Sequence, residues 1–375
     1  MTIRQHNLGS IVKPGFNPLG AQTSSSTSAS TIFTWGQNNK GQLGLGNTTY
    51  TSSPIQVGSL GTWANVEGGV FFTSAITTTG TLWLWGASNY GQLGLGNTTY
   101  YSSPKQVGAL TNWLSISCGG YHAAAIKTDG TLWTWGRGSL GQLGLGNTTN
   151  YSSPKQVGAL TAWSKTACGR NFTLAAKTDG TLWSFGHNNS GQLGLGDASN
   201  RQSPTQIGVL TNWSSISSGA SFSTAVKTDG TLWSWGQNTN GQLGLSDTAT
   251  RYSPVQIGSL TTWSKTSTGE SFAASITTSG SLWTWGANPY GQLGLGNNTY
   301  ISSPQQVGAL TTWISIACGG YHSIAVKTGA LWVWGFNVNG QLGLGNTTYY
   351  SSPKQVGALT TWAICSGGRN FTIAG

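Results

Sequence analysis

Apolar and polar residues alternate in short runs along this chain, and the same runs return at a nearly constant spacing. From residue 104 the sequence reads PKQVGAL, then WLSISCG, then YHAAAIK, then a Thr128-Asp129-Gly130 turn and LWTWG. Period-two alternation, β-branched and aromatic enrichment, and Asp-Gly between two runs are strand and hairpin signals. Each unit is therefore predicted to hold four short antiparallel strands, the first over PKQVGAL, with nothing longer than a turn of helix. The hexapeptide GQLGLG begins at Gly41, Gly91, Gly141, Gly191, Gly291 and Gly340, with the variant GQLGLS at Gly241, so the period is fifty residues, shortened once.

A repeat of this length marks units that bury their apolar faces only against their neighbours. Seven four-stranded units predict an all-β fold, a seven-bladed β-propeller. The ends agree. TIFTWG at Thr31 corresponds to TLWTWG at Thr131, while the last strand, GGRNFTIAG, stops where its equivalents continue to a turn and a Trp strand. Pairing strand 31–36 with the C-terminal strand is predicted to complete the seventh blade and remove the open edges of the ring. The small residues of SxSCGGYHAAAI suit strands near a crowded axis. The Trp pair of each LWxWG, and a further ring at Trp63, Trp113, Trp163, Trp213, Trp263, Trp313 and Trp362, supply the core.

Residues 1–30 stand outside the repeat and are expected to form an extended N-terminal arm with a Ser/Thr-rich tether, leaving 31–375 as the propeller. Leu8, Ile11, Val12 and Phe16 are the arm's candidate anchor to a partner. The N-terminus has no apolar core of signal-peptide length, and no run approaches a membrane span.

Composition narrows the chemistry. Only 6% of the residues are charged, 17 basic against seven acidic, which gives a formal charge of +10 through missing carboxylates more than through a basic run. The lysines recur at repeat positions (Lys105, Lys155 and Lys354; Lys127, Lys177, Lys227 and Lys327), so nucleic-acid binding is not expected. Three of the carboxylates, Asp129, Asp179 and Asp229, are turn residues, and no acid pair stands out, so no enzyme activity is expected. His122 and His322 share a slot with Phe72, Phe172, Phe222, Phe272 and Phe371, which marks a packing slot and not a metal ligand. Cys118, Cys168 and Cys318 share theirs with Gly, Ser and Thr, which marks buried thiols; a Cys118–Cys168 disulfide has no support from spacing. No metal and no cofactor is expected.

Trp283-Thr284-Trp285-Gly286 with Asn288 and Gly291-Gln292-Leu293-Gly294, together with Gly120-Tyr121-His122 and Gly320-Tyr321-His322, resemble the regulator of chromosome condensation repeats, and the resemblance spans Thr31 to Gly375. It implies a seven-bladed propeller. It implies nucleotide exchange on a small GTPase, or chromatin binding, only if loop insertions and acidic contact residues are present, and these repeats are nearly uniform and poor in carboxylates.

The loops after GQLGLG offer the best recognition chemistry, because tyrosine with Ser, Thr and Asn makes low-entropy binding surfaces. Their candidate residues are Tyr50, Tyr100, Tyr101, Tyr151, Tyr300, Tyr349 and Tyr350, which either meet a ligand or cover the outer blade edge; two neighbouring loops carry Asp197 with Arg201 and Asp247 with Arg251. The expectation is a non-enzymatic structural and interaction protein, displayed on a larger particle as a bacteriophage virion component. It would be held to its assembly partners by the arm, at a virion or extracellular surface, with its loops toward a receptor or surface glycan. The alternatives are an intracellular, cytoplasmic regulator that binds a small GTPase or chromatin, and a carbohydrate-binding lectin.

Overall fold

The computed structural model describes residues 30–59 and 61–375. The expected arm with Leu8, Ile11, Val12 and Phe16, and nearly all of the tether, lie outside the described residues. The rest forms seven four-stranded antiparallel sheets, with no helix among the described residues. The second blade is typical: Trp113–Cys118 is innermost, followed outward by His122–Lys127, Leu132–Gly136 and Tyr151–Gln156.

The seventh blade takes its two inner strands, Cys365–Gly367 and Phe371–Ala374, from the C-terminus and its two outer strands, Phe33–Gly36 and Thr51–Gln56, from the N-terminus. The two ends pair in register from Phe33 opposite Ala374 to Gly36 opposite Phe371, so the ring closes as its sequence predicts.

One boundary differs. The strand expected over PKQVGAL, as the first of its unit, runs instead from Tyr101 to Gln106 and pairs as the outermost strand of the preceding sheet, ending where Gly108 turns with φ of 59°. Pro104 is tolerated because this strand is the blade's free edge, where one missing N–H breaks no second ladder. Its start is held by the preceding blade, whose Gly46 N–H donates to Ser102 O at 2.7 Å.

The GQLGLG loops join one blade to the next. The carbonyl of Gln42 accepts from Thr73 Oγ1 at 2.7 Å and from Trp85 Nε1 at 3.0 Å, both in the next blade. The same carbonyl at Gln192 takes Ser223 and Trp235, and at Gln292 it takes Ser323 and Trp334. At the closing junction Gln341 takes Thr372 and Trp35, from opposite ends of the chain. Gly44 is obligatory: its φ is +74°, and a Cβ there would lie 2.6 Å from Trp85 Nε1. The last glycine of the hexapeptide has open space around it, which is why Ser246 can replace it despite a φ of 64°.

The core lies between blades. Phe72, Leu82 and Leu84 of the first blade pack with Leu93 of its loop and with Trp113, Ile116 and Trp135 of the second. Trp113 meets the Trp133 and Trp135 rings edge-on at 6.3 and 6.1 Å. The second Trp of each LWxWG is fully buried, whereas the first is half-buried, and at Trp83, Trp133, Trp183 and Trp233 its indole N–H bonds a turn hydroxyl, as in Trp133 to Thr131 at 2.8 Å.

The junctions are unequal, and stability should follow. Gln92 O receives only Trp135 Nε1, because Ala123, like Ala273 in the fifth blade, stands where the remaining blades place a Thr or Ser hydroxyl. Trp135→Phe leaves that carbonyl unpaired and is expected to cost about 2 kcal/mol, whereas Trp235→Phe, with Ser223 still donating to Gln192 O, should cost about 1 kcal/mol. The third blade has Phe185 in this slot, so Phe185→Trp should add a bond to Gln142 O and gain up to about 1 kcal/mol. Denaturant midpoints of the three variants test the order.

Candidate functional site

Antiparallel connectivity places the GGY turns, between the two inner strands, at the same end of the ring as the GQLG loops. Backbone bonds such as Arg137 N–H to Tyr121 O at 2.9 Å fasten the two sets together. The Thr-Asp-Gly turns lie at the other end. There Asp129 accepts from Thr131 N–H and Oγ1 at 2.9 and 2.6 Å, and these bonds hold its carboxyl below the usual range. Lys127 at that end lies 3.7 Å from the Trp133 ring centre, and Lys177 and Lys327 lie over Trp183 and Trp332 at 4.0 and 4.4 Å. These lysines lie over tryptophan rings, a cation–π contact that gives them a structural role.

The seven candidate tyrosines divide into two groups. Tyr101, Tyr151 and Tyr350 start outer strands, are half-buried, and accept at their hydroxyls from Asn97, Asn147 and Asn346 four residues earlier, at 3.4, 3.4 and 3.2 Å. Lys105, Lys155 and Lys354 cover their rings at 5.5, 5.6 and 5.5 Å. In the two exceptional loops the same lock is an ion pair, Asp197 with Arg201 and Asp247 with Arg251. Tyr50, Tyr100, Tyr300 and Tyr349 are exposed. Lys40 stands over Tyr100 at 5.4 Å, and Tyr50 accepts from Gln37 at 3.5 Å. Tyr349 joins a cluster with Tyr290 and Phe336, at 5.6 and 5.1 Å, which continues inward to Tyr321.

At the axis, one slot per blade lines the mouth of the central channel: Val70, Gly120, Arg170, Ala220, Glu270, Gly320 and Arg369. Glu270 meets Arg369 Nε at 3.2 Å and Arg170 at 3.7 Å, each pair spanning two blades. Sequence reasoning missed this cluster. Its signal is one repeat position that carries a charge in three copies and a small residue or Val in the others.

Beneath the mouth is a polar cavity of about 130 Å³, lined by the hydroxyls and thiols of the innermost strands and by Glu67. Cys118, Cys168 and Cys318 are free and buried, and burial pushes Cys168 and Cys318 up to about 12, so they are unreactive thiols. Ser366 donates to Glu67 at 3.2 Å, but desolvation dominates and raises this carboxyl to about 8. His122 and His322 are fully buried, as a packing slot requires, and they also bond across blades. Thr173 gives its only proton to Gln142 O, so His122 Nε2 donates to Thr173 Oγ1 at 2.9 Å; His322 does the same through Thr372. Burial lowers both imidazoles to about 3.

The RCC1-like domain model matches residues 112–374, and the Regulator of chromosome condensation (RCC1) repeat model matches 30–76 and 79–126. The chain belongs to the RCC1-like domain family. This RCC1-like chain is similar in fold to yeast RCC1 (Prp20) in its structure bound to Kap60, at 20% identity and TM-score 0.84, covering 100% of this chain and 96% of that one. It is similar to Prp20p from Saccharomyces cerevisiae, described with its binding to Gsp1p and histones, at 21% identity and TM-score 0.82, over 94% and 92% of the two chains. Human WBSCR16 is similar at 23% identity and TM-score 0.84, over 92% and 98%. No curated protein matches the sequence.

Family membership overturns the expectation of a bacteriophage virion component at a virion or extracellular surface: an RCC1-like chain falls with yeast and human proteins, one of them described by binding to Gsp1p and histones. The composition behind that expectation has a structural cause. Uncharged Asn, Gln, Ser and Thr hold the loops and blade junctions together, and they carry no information about location.

The half-buried Glu67 and the two buried imidazoles set a pH profile. Unfolded, Glu67 ionises near 4.5 and folded near 8, so its contribution to stability is full below 4.5 and is lost as pH rises to 8. The two imidazoles titrate near 6.5 unfolded and 3 folded, so their contribution is full above 6.5 and is lost as pH falls toward 3. Thermal midpoints should peak at about pH 6.5. Glu67→Gln should abolish the alkaline decline and gain on the order of 1 kcal/mol at pH 8, a figure reduced because the cavity it lines is polar. Scanning calorimetry from pH 4 to about 9 reads both limbs.

Proposed function

We propose that this RCC1-like chain is a non-enzymatic, intracellular regulator that binds a small GTPase through the face carrying the GGY turns and GQLG loops. The family supports a protein partner, and the related Prp20p, described with its binding to Gsp1p and histones, supports the class. One observation carries the choice between those partners. On this face Lys40, Arg137, Arg170 and Arg369 stand against a single carboxylate not locked in a loop, Glu270, because Asp197 and Asp247 are taken up by Arg201 and Arg251. Such a face complements an acidic surface and repels basic histone tails. The aromatic cluster of Tyr290, Tyr321, Phe336 and Tyr349, with exposed Tyr50, Tyr100 and Tyr300, supplies contact area beside the charges. Nucleotide exchange is not part of the proposal, because the repeats carry no inserted wedge and few acidic contacts.

Biolayer interferometry with a panel of small GTPases in nucleotide-free, GDP and GTP forms, and with core histones and duplex DNA in parallel, tests this reading. At least one GTPase should bind, more weakly at high salt, and Lys40→Glu with Arg137→Glu should weaken it about tenfold. Binding to histones or DNA alone, or GTPase binding indifferent to both charge reversals, overturns it.

A further inference from the structure

The axial mouth holds more hydrogen-bond donors than the protein supplies acceptors for. Two guanidinium groups, with five N–H donors each, face one carboxylate with two oxygens. Arg170 lies 3.7 Å from Glu270, beyond ordinary hydrogen-bond length, and its guanidinium forms no hydrogen bond with the described residues. Arg369 Nε lies 3.2 Å from Glu270 but is buried without a well-aligned hydrogen-bond acceptor among the described residues.

The backbone does not relieve this. Its groups are used in a ring of bonds around the mouth: Ala220 N–H to Glu270 O, Glu270 N–H to Gly320 O, Gly320 N–H to Arg369 O and Arg369 N–H to Gly69 O. The local charge is therefore positive and concentrated. Glu67, one layer below, is held largely protonated at neutral pH by its burial and does not neutralise it.

The arrangement is built twice. Gly120 precedes Tyr121 and His122 beside Arg170, and Gly320 precedes Tyr321 and His322 beside Arg369. A Cβ at Gly120 would lie 2.5 Å from Arg170 O and 3.1 Å from its Cγ; at Gly320 the same distances to Arg369 are 2.7 and 2.9 Å. Each arginine thus lies over a glycine that leaves it room, in the third and the seventh blade, and both turn toward the fifth. The Arg170 side chain is 40% exposed and that of Arg369 28%, so a ligand reaches both from solvent.

We propose that the axial mouth is an oxyanion site, in which a carboxylate or phosphate group, free or carried by a bound protein, sits between Arg170 and Arg369 opposite Glu270. Paired guanidinium groups match such groups bidentately. Glu270 is the internal competitor, which occupies the arginines when no ligand is bound. The site does not depend on the GTPase reading, since free anions suffice to fill it.

Isothermal titration of the full chain at low ionic strength, with inorganic phosphate in one arm and a capped oligoglutamate peptide in the other, tests it. Saturable one-site binding is expected in at least one arm, the tighter arm identifying whether phosphate or a protein carboxylate is the better occupant. Arg170→Gln should weaken it at least about fivefold and Glu270→Gln, by removing the competing negative charge, should tighten it about threefold or more. A purely structural triad would move neither anion affinity. Absence of saturable binding in both arms, or Glu270→Gln binding no more tightly than the parent chain, overturns the proposal. Should Glu270→Gln fold poorly, Arg170→Gln, a substitution at a well-exposed side chain, decides the matter alone.

Discussion

One carbonyl per blade holds the ring together. The Gln of GQLG presents its backbone oxygen to the next blade, where an indole N–H and, in most blades, a Thr or Ser hydroxyl converge on it. Each bond is modest, about 1 kcal/mol net, but the group it satisfies is buried and would be expensive to leave unpaired. This geometry requires Gly44, whose Cβ would strike the indole, and it requires the tryptophan to reach across the blade gap. The long shared motif is thus the signature of a junction.

Once the junctions account for the repeated residues, function is to be sought where the copies differ. The outer locks illustrate the distinction. Asn97 with Tyr101 and Asp197 with Arg201 are chemically unlike, yet each closes the same loop four residues apart. Tyr101, Tyr151 and Tyr350 therefore have a structural reason to exist, whereas Tyr50, Tyr100, Tyr300 and Tyr349 are exposed at the rim. The axial slot differs in another way: its charged side chains meet one another across the ring, while only their backbone groups join adjacent blades.

Composition proved a poor guide to place and partner. A chain with 6% charged residues suggests an unusual environment, but the amides and hydroxyls here are consumed internally, and the buried His122 and His322 complete relays to Gln142 and Gln341. Of the lysines that give the chain its formal charge, several lie over tryptophan rings. The charge left on the loop face is small in number, and it is the basis of the proposed choice between partner classes.

The sequence by itself determined the period, the strands, the closure of the seventh blade from both ends and the packing character of the His and Cys slots. Each of these depends on local alternation and on copies compared in register. It placed the outer strand three residues too late, because Pro104 reads as a strand start when the free edge that tolerates it is not visible. Only the tertiary structure decided which repeat positions meet. Arg170, Glu270 and Arg369 belong to three separate blades and still converge, because the ring is narrowest at its innermost strands and equivalent positions there lie within reach across two blades. The tyrosines of the outer loops follow the same repeat but stand at the rim, where a loop meets at most that of the adjacent blade, as Tyr349 meets Tyr290.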